Sequence, residues 1–152
     1  MSEFVHGTAV LVGSAGVLIR GSSGSGKSML AASLLSRGGK LVADDRVHLS
    51  ACHGRLIAAA LGSAAGLLEM RGRGLLSMPY ERSAVIRLVV DVIPEADLER
   101  FPADEGLSTT LLGLAVPRQA IPGDMQRGLL LVEAALSAGS GRRQIGLRSS
   151  PV

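Results

Sequence analysis

Tryptophan is absent from this 152-residue chain, and cysteine occurs once, tyrosine once and phenylalanine twice. Cys52 alone cannot form an internal disulfide. Phe4, Tyr80 and Phe101 are too few rings for a platform on which unpaired bases stack. No apolar run approaches the roughly 20 residues that cross a bilayer, because charges or glycines interrupt every candidate. Met1-Ser2-Glu3 lacks the basic stretch and apolar run of a signal peptide. These absences point to a cytoplasmic protein with neither a membrane nor a nucleic-acid partner.

What is present argues for one folded domain. Apolar residues make up 47% of the chain and charged residues 19%, enough buried surface to offset the lost chain entropy. The pI of about 9.7 suggests nucleic acid until the charge is located. Arg142, Arg143 and Arg148 stand in a terminal stretch without acids, and they account for the whole net charge of +3. The body is electroneutral. We therefore expect a catalytic domain over residues 1–138 and a flexible basic tail over 139–152.

The pattern of residues predicts an α/β fold. Phe4 to Val12 and Val17 to Arg20 read as a β-hairpin around Gly13-Ser14-Ala15-Gly16. Met29 to Arg37 reads as a helix, with Leu30, Leu34 and Leu35 at helical spacing and Gly38-Gly39 as its stop. Lys40 to Ala43 forms a short apolar strand that places Asp44 and Asp45 at a strand end. Val47 to Ser50 and Arg55 to Ala60 follow as strands. Residues 62–74 are dense in glycine, and Leu67-Leu-Glu-Met-Arg-Gly-Arg-Gly74 carries charges in an apolar setting. Ala84 to Ile93, with only Arg87 and Asp91 polar, fits a strand through the sheet centre. Pro94 to Gly106 reads as an exposed acidic turn and loop. Leu107 to Ile121 supplies one or two edge strands, and the last helix runs from Pro122–Asp124 to about Ala138.

The chemistry is carried first by Gly21, Ser22, Ser23, Gly24, Ser25, Gly26, Lys27 and Ser28, which satisfy the pattern G-x-x-x-x-G-K-[ST] between a predicted strand and a predicted helix. Glycines let backbone N–H groups wrap a phosphate, and the helix start adds aligned dipoles that favour the anion. Lys27 would neutralise the β and γ phosphates, and the Ser28 hydroxyl would ligate Mg²⁺. Asp44 and Asp45 supply the acids such a site requires. One can hold the metal and the other can accept a proton from an attacking hydroxyl. A strand bearing His6 precedes the phosphate loop, an order that suits a hydroxyl-directed kinase on a small mixed sheet better than a motor or GTPase.

Taken in order, Val5-His6-Gly7-Thr8, Gly16 to Ile19 leading into the phosphate loop, Arg37-Gly38, Leu41-Val-Ala-Asp-Asp45, Leu67 to Gly74 and Leu131-Val-Glu-Ala-Ala135 resemble the catalytic domain of the HPr kinase/phosphorylase family. The resemblance implies a P-loop core with a mixed β-sheet flanked by helices, of the HPr kinase/PEP carboxykinase type. It also implies an ATP- and Mg²⁺-dependent serine kinase acting on an HPr-like phosphocarrier of the phosphotransferase system. Its reverse reaction would use inorganic phosphate and release pyrophosphate. On the same basis Asp45 would be the general base. Asp44 and Glu69 would join Ser28 around Mg²⁺, and His6 would orient the aspartates. Arg71 would point to the phosphates or to a neighbouring subunit, because the family is hexameric. His6 lies almost at the start, so a core-only version without the family's N-terminal domain is expected. The family's basic stretch before the last helix is matched weakly by Pro122-Gly-Asp-Met-Gln-Arg-Gly128, leaving Arg127 as its equivalent and Arg118 as a nearby substitute. Two other readings share the phosphate loop: a small-molecule kinase, which would need a lid and an acceptor pocket, and a nucleotide-responsive binding module without transferase activity.

Overall fold

The structure is a computed structural model describing residues 1–22 and 24–139, so the expected tail beyond Gly139 and Ser23 of the phosphate loop lie outside the described residues. The elements are β1 (Ser2–Val12), β2 (Ala15–Arg20), α1 (Lys27–Ser36), β3 (Lys40–Cys52), β4 (Arg55–Ala59), β5 (Leu67–Met70), β6 (Gly74–Ser77), β7 (Ser83–Val92), β8 (Ser108–Leu111), β9 (Leu114–Ile121) and α2 (Met125–Gly139). Seven strands form one mixed sheet in the order β2-β1-β3-β4-β7-β9-β8, and β2 also pairs with β7. That extra pairing closes β2, β1, β3, β4 and β7 into a ring.

Period-2 alternation then gives the ring two faces. Ala9, Leu18, Val42, Ala43, Leu49, Leu56, Ala58, Ile86 and Val89 point inward and fill it. The intervening Val10, Val17, Ile19, Leu41, Leu88 and Val90 point outward. Leu30, Leu34 and Leu35 of α1 and Val132 of α2 cover that outer face, so both helices lie on the same side. Val42 and Ala43 are neighbours in sequence yet share the inner core, because the β1–β3 register slips between Ala9 and Val10. A bulge at this point breaks the alternation and re-aims the residues after it.

The predicted hairpin, helices and central strand are all present. β7 pairs with β2, β4 and β9, as its run of apolar residues requires. Two expectations need correction. Asp44 and Asp45 do not stand at a strand end: β3 continues from Lys40 to Cys52, and its pairing with β1 runs through both aspartates as far as Ser50. Polar residues in mid-strand look like a boundary only when the partner strand is unseen. Within the glycine-dense segment, β5 and β6 form a separate hairpin whose Leu68 is fully buried in the helix-side core. Of the residues read as edge strands, β8 is an edge, whereas β9 lies between β7 and β8.

Candidate functional site

Strands β2, β7 and β9 run parallel, and their carboxyl ends meet where ligands bind in open α/β sheets. β2 leads into Gly21 and the phosphate loop, and α1 begins at Lys27. Gly24 and Gly26 hold φ of 79° and 114°, a left-handed backbone that glycine adopts without strain. A side chain at Gly21 would strike the Ser25 hydroxyl at 2.6 Å. The loop is braced from the other side by the turn before α2, where a Cβ on Gly123 would lie 3.3 Å from the Ser25 carbonyl. Lys27 Nζ folds over the loop and donates to the carbonyls of Gly21 at 2.8 Å and Ser22 at 3.2 Å. Among the described residues, Ser25 Oγ is a buried polar side-chain atom with no hydrogen-bond partner. A buried hydroxyl left without a partner is costly, and a phosphate oxygen in the loop would satisfy it. The loop therefore fits a nucleotide phosphate on its own chemistry.

The acids reach this end of the sheet by register. Thr8 of β1 pairs with Ile19 on one side and Asp44 on the other. With strands about 4.8 Å apart, Asp44 lies two strands across from a residue two positions before the loop. Gly7 pairs with Asp45 one step nearer the loop's end of the sheet. Asp44 is held firmly: Thr8 Oγ1 donates to Oδ1 at 2.9 Å, and the Glu69 backbone N–H donates to Oδ2 at 3.2 Å. Thr8 is only 1% exposed, so its hydroxyl belongs to this contact. Asp45 differs. It adopts φ of 72°, uncommon for a residue with a side chain and typical of functional sites. Its carboxylate is 76% exposed and, among the described residues, is paired with His6 Nδ1 alone, at 3.4 Å.

The structure thus brings Asp44, Asp45, His6 and the Glu69 backbone together beside the phosphate loop. Among the described residues no group of three or more His, Cys, Asp or Glu side chains is placed to hold a metal unaided. Mg²⁺ is commonly held by one or two carboxylates with phosphate oxygens and water, and Asp44, Glu69 and Ser28 offer the hard oxygen donors it takes. Arg71 sits in the β5–β6 turn, closed by the Arg73 N–H donating to the Met70 carbonyl at 2.9 Å. Arg127 is not joined to the acid pair. Its guanidinium grips both oxygens of Glu95 at 2.9 and 2.8 Å. Arg118 is committed as well, to Asp91 at 2.6 Å and the Gly106 carbonyl at 2.9 Å. Cavities of about 730 and 700 Å³ lie elsewhere, and neither is lined by the phosphate loop or the aspartates.

Sequence reasoning missed a second polar cluster. Asp91 accepts from Arg20 at 2.7 and 2.9 Å and from Arg118 at 2.6 Å, linking the ends of β2, β7 and β9. Burial pushes the Asp91 pKa up, but the hydrogen bonds and charges of Arg20 and Arg118 outweigh it and hold the carboxyl below its ordinary value. The signal was a lone carboxylate in an apolar strand, which demands a cationic partner.

Gly7 makes the close approach of β1 and β2 workable. A Cβ there would lie 2.6 Å from the Ile19 carbonyl oxygen, a backbone atom that cannot step aside. Gly7→Ala is expected to cost about 1–3 kcal/mol, measured by urea denaturation, while Gly13→Ala, with open space around it, pays only for placing a side chain at a φ of 63°.

Comparison with known proteins gives the family and the fold. The family model described as the HPr serine kinase C-terminal domain matches residues 1–146. The HPr kinase/phosphorylase of Clostridium tetani is 35% identical over 97% of this chain and 51% of its own length. That of Geobacillus thermodenitrificans is 38% identical over 86% of this chain and 46% of its own. The chain spans about half the length of the curated relatives it matches. The solved structure of the Hpr(Ser) kinase/phosphatase from Coxiella burnetii superposes with a TM-score of 0.79 and 24% identity, covering 91% of this chain and 90% of that one, so the two share a fold. A phosphate loop, an acid pair on β3 two strands across from it and a family match along nearly the whole chain lead to one assignment: this chain belongs to the HPr serine kinase C-terminal domain family.

Proposed function

We propose that this chain is the catalytic domain of an ATP- and Mg²⁺-dependent serine kinase acting on an HPr-like phosphocarrier, with a reverse phosphorylase reaction. The observation that carries the reading is the pairing of Thr8 with both Ile19 and Asp44. It joins the phosphate loop and the acids into one site. Backbone N–H groups of the loop and Lys27 hold the nucleotide phosphates, with Lys27 exchanging its two carbonyl acceptors for phosphate oxygens. Asp44 and Glu69, with Ser28, would hold Mg²⁺, which when bound draws phosphate oxygens together and offsets their charge.

Asp45 is the proton acceptor. Its exposure lets it meet a serine carried on the surface of another protein, and His6 restricts where the carboxylate points. As the serine oxygen attacks the γ phosphorus, its proton passes to Asp45 and ADP departs. In reverse, inorganic phosphate attacks phosphoserine, Asp45 returns a proton to the serine oxygen, and pyrophosphate leaves. Arg71 is the cation we assign to the transferred phosphate or to a neighbouring subunit, in a homo-oligomer such as a hexamer. Among the described residues no helix is long and apolar enough to cross a membrane, and we assign the enzyme to the cytoplasm.

A second reading, a nucleotide-responsive binding module, draws support from one observation: Arg118 and Arg127 are both occupied by acids. Incubation with ATP, Mg²⁺ and a panel of HPr-type phosphocarriers separates the two. Phosphoserine on a carrier is expected. ATP binding without transfer to any carrier would replace the kinase with the module.

A further inference from the structure

Strand β7 changes partner along one edge. Ser83, Ala84 and Val85 pair with β4, and Val89 to Val92 pair with β9, while β2 runs along the other edge. Between Val85 and Val89 the strands β4 and β9 part company. The cleft they leave has a volume of about 730 Å³, within the range of small-molecule sites. Half-buried Leu107, Leu114 and Leu136 supply its apolar surface, with Leu136 of α2 closing one side.

Two arginines face this cleft. Arg55 and Arg87 each stand two residues beyond the last β4–β7 pair, Ile57↔Val85. Both line the cleft. Like charges lining one cleft repel, and among the described residues neither has an ion pair or side-chain hydrogen bond. No Asp or Glu lines the cleft, and the remaining arginine there, Arg118, is already satisfied by Asp91 and Gly106. A cavity with greasy walls and two unneutralised guanidinium groups calls for a ligand with the opposite pattern. Arginine forks match a carboxylate or phosphate head, and the half-buried leucines match an aliphatic body.

We propose that the cleft between β4 and β9 binds a small amphiphilic anion, a carboxylate or phosphate ester with an aliphatic chain, at a site separate from the phosphate loop. The test is calorimetric titration of the full chain, with ATP saturating, using decanoate and decyl phosphate below their micellar concentrations and decanol as the neutral match. Both anions are expected to bind saturably and decanol at least about tenfold more weakly, as loss of a charge-assisted contact implies. The Arg55→Gln/Arg87→Gln double variant should lose about tenfold or more for the anions, whereas Arg82→Gln, outside the cleft, should bind like the parent. Because Arg55 and Arg87 are exposed, the double variant keeps the core, and an unchanged melting curve verifies this. Equal binding of decanol, unaltered binding by the double variant, or no saturable binding of either anion overturns the proposal. So does sedimentation with phosphatidylglycerol vesicles in the absence of binding to the soluble anions, which would place the arginines on a bilayer rather than around a free ligand.

Discussion

Asp45→Asn is expected to lower serine phosphorylation by about 10²–10⁴-fold, the range assigned to a positioned general base, while ATP affinity stays within a few-fold. The geometry separates these two effects. Among the described residues the Asp45 carboxylate is paired with His6 alone, so its amide substitute leaves the Thr8–Asp44–Glu69 contacts intact. The backbone at this position also favours the experiment. A φ of 72° is tolerated by asparagine better than by other residues with a side chain, so the variant should melt within about 2 °C of the parent. Single-turnover transfer to a phosphocarrier, with nucleotide binding measured alongside, reads both quantities. An active Asp45→Asn enzyme would move the base elsewhere, Asp44 being the neighbouring carboxylate. Asp44→Asn should behave differently, because that carboxylate anchors β5 through the Glu69 N–H.

The second large effect is on stability. Asp91→Asn removes the anion that faces both Arg20 and Arg118, leaving two guanidinium groups close together at the strand ends. Breaking a well-buried pair costs about 3–5 kcal/mol. The Asp91 side chain is 16% exposed and its partners 29% and 25%, so solvent reduces this to about 2–4 kcal/mol. For a domain of this size that is a fall in Tm of roughly 5–15 °C. The pH dependence has a definite sign. The folded carboxyl titrates below its unfolded value, so its stabilisation is present in full above the unfolded pKa of about 3.9. It is lost as the pH falls through the lower folded value. Melting curves from pH 7 down to pH 3 should show the gap between parent and Asp91→Asn narrowing below about pH 4. A gap that stays constant would mean the Asp91 charge contributes nothing and only shape is at stake.

Much of this was legible in the residues. The phosphate loop announces itself, because few residue types can wrap a phosphate and the flanking strand and helix are encoded locally. The aspartate doublet was equally visible, but its placement was misjudged. Local pattern reads Asp44-Asp45 as the end of a strand, whereas pairing with β1 carries β3 straight through them. The β5–β6 hairpin escaped notice for a similar reason. Its strands are only four residues each, too short for periodicity to register, and Leu68 is drawn inward by the helix-side core rather than by its neighbours.

By itself the sequence determined the family, the phosphate loop and the identity of the acids, since these depend on residue types in a fixed order. Tertiary structure decided what those acids can do. Asp44 and Asp45 are adjacent and chemically identical, yet one is pinned by a buried threonine and a backbone N–H while the other stands exposed beside His6. Only the register of β1 between β2 and β3 makes that distinction, because hydrogen bonding across strands joins residues that lie 36 apart in the chain. The Asp91 clamp and the cleft at Arg55 and Arg87 were decided in the same way, by which strand lies beside β7 at each point along its length.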